Sequence, residues 1–207
     1  MPDSTRRHLL AGTAAGLAVA PMRAWAGLLP TPAQPAGPFY PLELPLDDDN
    51  DLTRVMEQSD VAGGEVLHVA GRVLDASGAV LEGARVELWQ ANAEGRYHHP
   101  GDRNPLAIDP GFQGFGHMVT GVDGAYRFKT IMPGLYPGRT RHLHFMVIAP
   151  GRADLVTQMY FAGEPDNERD GLLRRLSEDG QAAVTVPFSA TPDEPESQTG
   201  VFDIVMG

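Results

Sequence analysis

The 207-residue chain contains no cysteine, and this absence excludes several classes of protein. Disulfide bonds, iron–sulfur clusters and thiolate-bound zinc all need cysteine side chains. Long hydrophobic runs are lacking as well. The apolar stretch near the N-terminus is short and rich in small residues, so we expect no membrane span. With 42% hydrophobic residues, the chain can still form one domain with a substantial core.

Basic residues are scarce, with 16 Lys and Arg against 27 Asp and Glu. Arg6, Arg7, Arg23 and Asp3 lie in the first 26 residues, which leaves 13 basic and 26 acidic residues beyond Ala26. A chain with this net charge of −13 repels nucleic acid, and we discount nucleic-acid binding. It also repels anionic substrates unless a local arginine attracts them.

Residues 1–26 are typical of an export signal. Arg6 and Arg7 form a twin-arginine pattern, a short run of Leu, Ala and Gly follows, and Ala24-Trp25-Ala26 is a small-x-small cleavage site. A Sec signal and an uncleaved helix are the alternatives. We expect export by the twin-arginine route to the periplasm or the medium, with a mature chain that starts near Gly27.

The mature chain divides into an extended, proline-rich arm at residues 27–64 and one β domain at residues 65–207. Short β patterns separated by Gly, Pro and Asp predict strands at residues 66–74, 84–90, 125–130, 142–149, 155–161, 183–188 and 201–206. We therefore predict an all-β fold, a β-sandwich of mixed and antiparallel strands with few short helices.

Two of these segments carry more specific predictions. In residues 84–90, Val86 and Leu88 alternate with charged residues and Trp89, which predicts a strand buried on one face only. Residues 168–177 are predicted to be helical, because their leucines fall on one side.

The strand at residues 142–149 contains the most informative pattern in the chain. His142 and His144 are two residues apart, so both imidazoles point to the same face of a strand. Tyr136 lies six residues earlier, beside a Pro-Gly turn. Two imidazoles and a phenol make most of a metal site, and a hard phenolate oxygen suits a highly charged ion such as ferric iron. The alternative is that both histidines lie on a solvated face.

Long motifs in the chain resemble the intradiol ring-cleavage dioxygenases, the family of protocatechuate 3,4-dioxygenase and catechol 1,2-dioxygenase. The resemblance is carried by residues 71–97, GRVLDASGAVLEGARVELWQANAEGRY, and continues through residues 109–114, 120–136 and 157–161. It covers about residues 31–163. It implies a catalytic β-sandwich that uses O2 to cleave a catechol ring between its two hydroxylated carbons, giving a cis,cis-muconate.

The resemblance also implies one Fe(III) per chain, bound by Tyr97, Tyr136, His142 and His144. Two phenolates and one hydroxide would neutralise the ion, and two neutral imidazoles would complete the site. Tyr136 is implied to leave the metal when the catechol chelates it, while Tyr97 stays bound. Taken singly, Tyr97 could instead pack over Trp89, and Tyr136 could be a simple loop aromatic.

Arg139 and Gln158 are predicted to assist the reaction. Arg139 precedes His142 by three residues, as in the family, and would stabilise negative charge on the substrate. Gln158 would donate a hydrogen bond over the same ring face. The alternatives are an exposed loop cation for Arg139 and a strand-surface amide for Gln158. Arg141 could help to hold an anionic substrate.

Three further aromatic side chains near these motifs have open roles. Tyr40, in the arm, could line the pocket or pack beneath the arm, and His98 and His99 are expected to face solvent.

The link from Tyr136 to His142 is shorter than in better-known members, so we expect an open site with broad catechol specificity. We also expect a homodimer.

Two other functions remain open from the residues alone. The Gly-x-Val-x-Asp-x-x-Gly opening of residues 71–78 also begins transthyretin-like and carboxypeptidase-regulatory-like sandwiches, which often only bind or pack. A mononuclear zinc hydrolase is the third candidate, although no carboxylate base is evident. Convergence of the two tyrosines and two histidines would separate a metal enzyme from a binding module.

Overall fold

A computed structural model describes residues 27–45 and 47–207. The predicted export signal, residues 1–26, lies outside the described residues. Within the described residues, ten strands form two five-stranded sheets. The all-β sandwich predicted from the sequence is confirmed. The division of the chain at residues 26 and 64 stays a prediction.

The first sheet is organised around β1 (Val66–Asp75). Strand β1 pairs antiparallel with β4 (Ala125–Ile131) on one side. On the other side it pairs in parallel with β9 (Glu194–Val201) and then with β10 (Ile204–Met206). Strand β8 (Phe188–Thr191) continues this sheet, antiparallel to β9.

The second sheet carries the histidine strand at its centre. Its order is β3 (Phe115–Val119), β2 (Arg85–Trp89), β5 (His142–Ile148), β6 (Leu155–Phe161) and β7 (Thr185–Val186). All neighbours are antiparallel except β6 and β7, which are parallel. Because β5 is paired on both sides, the positions of its side chains are tightly fixed.

The hydrophobic core lies between the two sheets. Alternate side chains of the strands point inward, and the Phe128 and Phe145 rings meet across the interface with centroids 6.2 Å apart. Fully buried core members include Leu67, Val69, Leu88, Phe128 and Phe145. Each such side chain contributes about 1.5–3 kcal/mol when it is removed from water.

The helix prediction for residues 168–177 is wrong. That region forms two short 3-10 helices, Pro165–Arg169 and Leu173–Arg175. Between them, the carboxylate of Asp170 accepts the N–H groups of Leu172 and Leu173, which breaks any continuous helix. The α-helix, α1, follows at Glu178–Val184, and the Ser177 hydroxyl accepts the Gly180 N–H at its start.

Most of the strand predictions are confirmed. Strands β1, β2, β4, β5 and β6 lie within a residue or two of the predicted bounds. The segment at 183–188 is divided between the end of α1, β7 and the start of β8, and the segment at 201–206 is interrupted between β9 and β10. Strand β3 was not predicted, because it is short and its second residue, Gly116, is of a type that is depleted in strands. No helix in the described residues is long and apolar enough to cross a membrane.

The arm lies along the outer face of the second sheet. Its main chain is anchored by a 2.8 Å hydrogen bond from Gln34 N to the Val156 carbonyl in β6. Beneath it, Glu87 and Trp89 of β2 are only 2% and 1% exposed. The prediction of a half-buried β2 is therefore wrong: the core covers one face and the arm covers the other.

Candidate metal centre

His142 and His144 lie on the outer face of β5, opposite the core. Both are buried, each 2% exposed, so the solvated-face alternative is wrong. The Trp89 indole stacks on the His144 imidazole, with centroids 4.9 Å apart and planes 7° from parallel. The two imidazoles lie 4.8 Å apart, so the alternation predicted from the sequence brings them together.

Burial and hydrogen bonding prepare the imidazoles as neutral ligands. Desolvation lowers the pKa of His142 to about 4 and that of His144 well below its ordinary value. His142 Nδ1–H donates to the Thr140 carbonyl at 2.7 Å, so Nε2 is the unprotonated nitrogen and its lone pair can bind a cation. His144 Nδ1 is buried and has no hydrogen-bond partner among the described residues.

Tyr136 is held by a tight turn immediately before the histidine strand. Pro137 and Gly138 occupy the two central positions, Gly138 has φ +82°, and Arg139 N–H donates to the Tyr136 carbonyl at 3.2 Å. Proline followed by a positive-φ glycine is the pattern of a type II turn. The turn brings Tyr136 Oη to 3.0 Å from His142 Nε2.

Tyr97 approaches from a second loop that is packed against the first. Asn92 is buried and its side-chain oxygen accepts the Glu94 and Arg96 N–H groups, which shapes this loop. The two loops touch at Gly95 and Gly134, where a Cβ on Gly134 would collide with the Gly95 nitrogen. This close approach allows the Tyr97 and Tyr136 rings to lie 5.7 Å apart.

The two phenols need a cation before they can ionise. Desolvation raises the pKa of Tyr97 well above 10, and it also raises the pKa of Tyr136. Neighbouring phenols in a dry site therefore stay protonated unless a strong positive charge is bound. Two phenol oxygens and two neutral imidazoles are a donor set that fits a hard trivalent ion such as Fe(III).

Clusters of the more familiar metal-binding side chains are absent from the part of the chain that the structure describes. Within residues 27–45 and 47–207, no three His, Cys, Asp or Glu side chains are grouped closely enough to hold an ion. Any further protein ligands for an ion on β5 would therefore come from other side chains, and the two tyrosines are the nearest candidates. The structure brings Tyr97, Tyr136, His142 and His144 together, and their role as ligands stays a prediction.

Arg139 is oriented by a buried ion pair. Its Nε lies 2.8 Å from Asp170 Oδ2, and the Asp170 side chain is 0% exposed. Burial alone would raise the pKa of Asp170, but hydrogen bonds from the Leu173 N–H and from Arg139 hold this pKa below its ordinary value. Arg139 Nη1 lies 3.3 Å from His142 Nε2, so the guanidinium faces the centre and is not a free loop cation.

Gln158 also lies beside the centre, and both ends of its amide are hydrogen-bonded within the protein. It is 0% exposed, its Oε1 accepts from Arg139 Nη2 at 2.6 Å, and its Nε2 donates to the Pro35 carbonyl at 2.9 Å. The surface-amide alternative is therefore wrong. Gln158 therefore acts on Arg139 directly. Its Nε2 has two N–H groups and one of them donates to Pro35, so the hydrogen bond over the substrate ring stays a prediction.

The arm closes the histidine side of the centre. A Cβ on Gly37 would lie 3.4 Å from His144 Cε1, so the backbone passes close to that imidazole. The Phe39 ring packs 4.6 Å from the Tyr97 ring and 6.4 Å from the Tyr136 ring. Aromatic contacts of this kind exclude water and fix ring orientations.

Tyr40 packs beneath the arm, where it contacts Trp89, the residue that stacks on His144. Its ring meets the Trp89 indole edge-on at 5.0 Å, and its hydroxyl donates to Glu87 Oε2 at 2.8 Å. Burial and Glu87 raise the pKa of Tyr40 to about 12, so it remains a donor. Arg85 Nε, at 2.7 Å from Glu87 Oε1, balances the carboxylate charge.

Three residues with uncertain predicted roles lie outside the centre. Arg141 is paired with Glu164 at 3.0 Å and also donates to a backbone carbonyl, and its role toward an anionic substrate stays a prediction. His98 is exposed and lines a separate apolar cavity. His99 packs on Phe39, 5.7 Å between ring centroids, which contradicts the expectation that it faces solvent.

Sequence reasoning missed Asp170, Tyr160 and Gln34, which all act on Arg139 or Gln158. Asp170 and Gln34 lie outside the quoted motifs and far in sequence from the histidine strand, whereas Tyr160 lies in the quoted segment 157–161 but was given no role. Tyr160 could have been found from the period of β6, because it lies two residues from Gln158 and therefore on the same face.

A cavity of about 440 Å³ opens beside Tyr136 and Arg139. The turn at residues 135–140 forms one side, and Asp166, Arg169 and Asp170 form the other. Its volume is within the range of about 300–1,000 Å³ that is common for small-molecule sites.

Comparison with known proteins agrees with this geometry. A family model described as Dioxygenase matches residues 36–206. The protocatechuate 3,4-dioxygenase beta chain of Burkholderia cepacia is 38% identical over 76% of this chain and 71% of its own length. The hydroxyquinol 1,2-dioxygenase of Nocardioides simplex is 32% identical over 85% of this chain and 64% of its own length.

Solved structures give the same result. One is the dioxygenase domain of a dioxygenase carbohydrate-binding protein fusion from Streptomyces sp. SirexAA-E, with a TM-score of 0.65 and 35% identity. The match covers 86% of this chain and 97% of that one. The chain belongs to the intradiol ring-cleavage dioxygenase family. It is a ring-cleaving oxidoreductase, and this membership argues against both the binding module and the zinc hydrolase.

Proposed function

We propose that this protein is an Fe(III)-dependent dioxygenase that uses O2 to cleave a catechol-type ring between its two hydroxylated carbons, giving a cis,cis-muconate-type product. The observation that carries the proposal is the convergence of Tyr97, Tyr136, His142 and His144 in a buried site, with Tyr136 Oη 3.0 Å from His142 Nε2. The names of the relatives, which include protocatechuate, hydroxyquinol and catechol dioxygenases, support the substrate class.

The four residues would hold one ferric ion, which when bound would supply the Lewis acid that a catechol chelates and that activates the catechol toward O2. His142 and His144 would stay fixed, because the Thr140 carbonyl holds one ring and the Trp89 indole covers the other. Neutral ligands at these two positions leave the charge balance to the phenols and the substrate.

Tyr136 is the better placed phenol to leave and accept a proton. It lines the 440 Å³ cavity, whereas Tyr97 is 3% exposed and enclosed by the Phe39 ring. Burial raises the pKa of Tyr136, so its phenolate becomes a strong base once it is freed. It would take the proton of one catechol hydroxyl as the substrate binds.

Arg139 would stabilise negative charge on the bound substrate. Its Nε and Nη2 are occupied by Asp170 and Gln158, while Nη1 points toward His142 at the edge of the cavity. A fixed donor aimed at developing charge in a dry site lowers a reaction barrier more than a mobile one does.

The test is a visible absorption spectrum of the purified protein, before and after anaerobic addition of catechol. We expect a red-brown band from phenolate-to-Fe(III) charge transfer, which shifts to longer wavelength when catechol binds. Admission of O2 should then give a cis,cis-muconate. A protein that stays colourless after ferric loading and ignores catechol would overturn the proposal.

We further propose export by the twin-arginine route and assembly as a homodimer. Support for export is the Arg6-Arg7 pattern followed by a small-x-small site. Replacement of both arginines by lysine should leave the protein in the cytoplasm on fractionation.

The homodimer is tested by light scattering of the purified protein. A molar mass of one chain would contradict it.

A further inference from the structure

Arg139 has one guanidinium nitrogen directed at the candidate centre. Asp170 fixes its Nε, Gln158 fixes its Nη2, and Nη1 lies 3.3 Å from His142 Nε2. The direction of Nη1 therefore depends on both partners. Asp170 is held by backbone N–H groups of its own loop, so the remaining question is what holds Gln158.

The amide of Gln158 can adopt only one orientation. Arg139 can only donate, so the atom that faces it, at 2.6 Å, must be Oε1. The Pro35 carbonyl can only accept, so the atom that faces it, at 2.9 Å, must be Nε2. A flipped amide would lose both hydrogen bonds, and the arm backbone therefore fixes the acceptor that Arg139 uses.

Gln34 fixes Tyr160, whose hydroxyl is the second donor to Gln158 Oε1. Its Oε1 accepts the Gln158 backbone N–H at 3.2 Å, so its Nε2 must be the atom that meets Tyr160 Oη at 2.9 Å. The Tyr160 proton is then left for Gln158 Oε1, at 3.2 Å. Gln34 and the Pro35 carbonyl therefore determine which group donates and which accepts in each hydrogen bond between the arm and Arg139.

These bonds are shielded from water. Gln34 is 7% exposed, and Tyr160 and Gln158 are both 0% exposed. Because no solvent can replace a lost partner, a broken bond leaves a buried polar group unpaired and the neighbouring groups must move. The arm therefore acts on Arg139 through contacts that span more than 120 residues of sequence.

We propose that Gln34 is a positioning residue for the reaction, acting together with the backbone carbonyl of Pro35. These two groups fix Gln158 and Tyr160, so that Arg139 Nη1 stays aimed at the substrate. The inference rests on the proposed function. Both residues lie just before the segment 36–206 that the family model matches. The arm is thus a working part of the centre and not only a cover.

The test compares Gln34→Leu and Tyr160→Phe, singly and together, in the full-length protein. The exposed neighbour change Ala33→Ser is the matched control. We expect both single variants to retain iron and the charge-transfer band, because no ligand is touched. Each should lose about 10-fold in kcat/KM for catechol through misaligned Arg139. The double variant should lose no more than either single one, since all three break the same chain of bonds.

A second readout does not depend on activity. The Arg139 Nη2–H that donates to Gln158 Oε1, assigned in 15N NMR spectra with the help of Arg139→Lys, should exchange slowly with water in the wild type. It should exchange faster in Gln34→Leu and remain slow in Ala33→Ser, with Ga(III) as a diamagnetic substitute wherever iron binds.

The outcomes separate the two proposals. If wild type consumes O2 with catechol but Gln34→Leu matches Ala33→Ser in kcat/KM and in Arg139 exchange, the positioning role is wrong and the proposed function stands. If wild type neither binds iron nor acts on catechol, the proposed function fails. The NMR comparison then still decides whether the arm orders Arg139. Additive losses confined to the free energy of unfolding would reduce Gln34 to a structural role.

Discussion

Over residues 142–145, the two faces of β5 are both buried but are held in different ways. On the inner face, Leu143 and Phe145 meet apolar side chains of the opposite sheet, and both are 0% exposed. On the outer face, His142 and His144 are 2% exposed, yet their neighbours are directional: a carbonyl, a phenol, a guanidinium and a stacked indole. Burial on the inner face stabilises the fold, while burial on the outer face sets protonation and geometry.

The largest expected contrast comes from adjacent residues of this strand. Phe145→Ala should lower the free energy of unfolding by about 3–5 kcal/mol, because it leaves a cavity in the core. His144→Ala should cost only about 1 kcal/mol in the metal-free protein, since it removes a stacked ring whose Nδ1 has no partner among the described residues. The His144→Ala variant should nevertheless lose iron retention and ring cleavage. Urea unfolding and iron analysis on both variants check the contrast, and equal stability losses would contradict it.

An intermediate loss of stability is expected at Asp170, which pairs with Arg139 on one side and with the N–H groups of its own loop on the other. Asp170→Asn should cost about 3 kcal/mol, because it leaves the Arg139 guanidinium without its buried counter-charge. The folded-state pKa of Asp170 lies below the ordinary value of 3.8. Its contribution to stability is therefore complete above that pH and is lost as the pH falls toward the folded pKa.

Unfolding experiments between pH 7 and pH 3 check this prediction. The wild type should lose part of its advantage over Asp170→Asn only below about pH 4. A difference between the two proteins that stays constant down to pH 3 would show that the carboxylate charge is not what stabilises this loop.

The smallest expected effect tests the turn that presents Tyr136. Gly138 has φ +82° and open space around its Cα, so Gly138→Ala meets no clash and costs only backbone strain, about 1 kcal/mol. Gly171→Ala is the matched control, because that glycine also has open space but no positive φ. Thermal unfolding should separate the two variants. A shift of the charge-transfer band in Gly138→Ala alone would show that the turn also places the phenol.

The sequence allowed the site to be predicted where a local period determines the geometry. His142 and His144 share a face because a strand repeats every two residues, and the register of β5 between β2 and β6 confirms the strand. The turn before Tyr136 was visible in Pro137 and Gly138. The family motifs supplied Tyr97, which no period connects to the histidines.

The parts that were missed depend on contacts between distant segments. The burial of Glu87 under Tyr40, and the links from Gln34 to Tyr160, join residues that are 47 and 126 positions apart. The wrong helix at residues 168–177 has the same origin, since the Asp170 carboxylate serves Arg139 and Thr140 of another segment as well as its own loop. Propensity and period carry no information on such contacts.

The stacking of Trp89 on His144 gives the molecule a built-in optical reporter. The chain has two tryptophans, Trp25 and Trp89, and Trp25 lies in the segment that we expect to be removed on export. After that removal, all indole emission would come from a ring 4.9 Å from a candidate ligand. Quenching of that emission would then follow occupation of the centre in real time, without any added label.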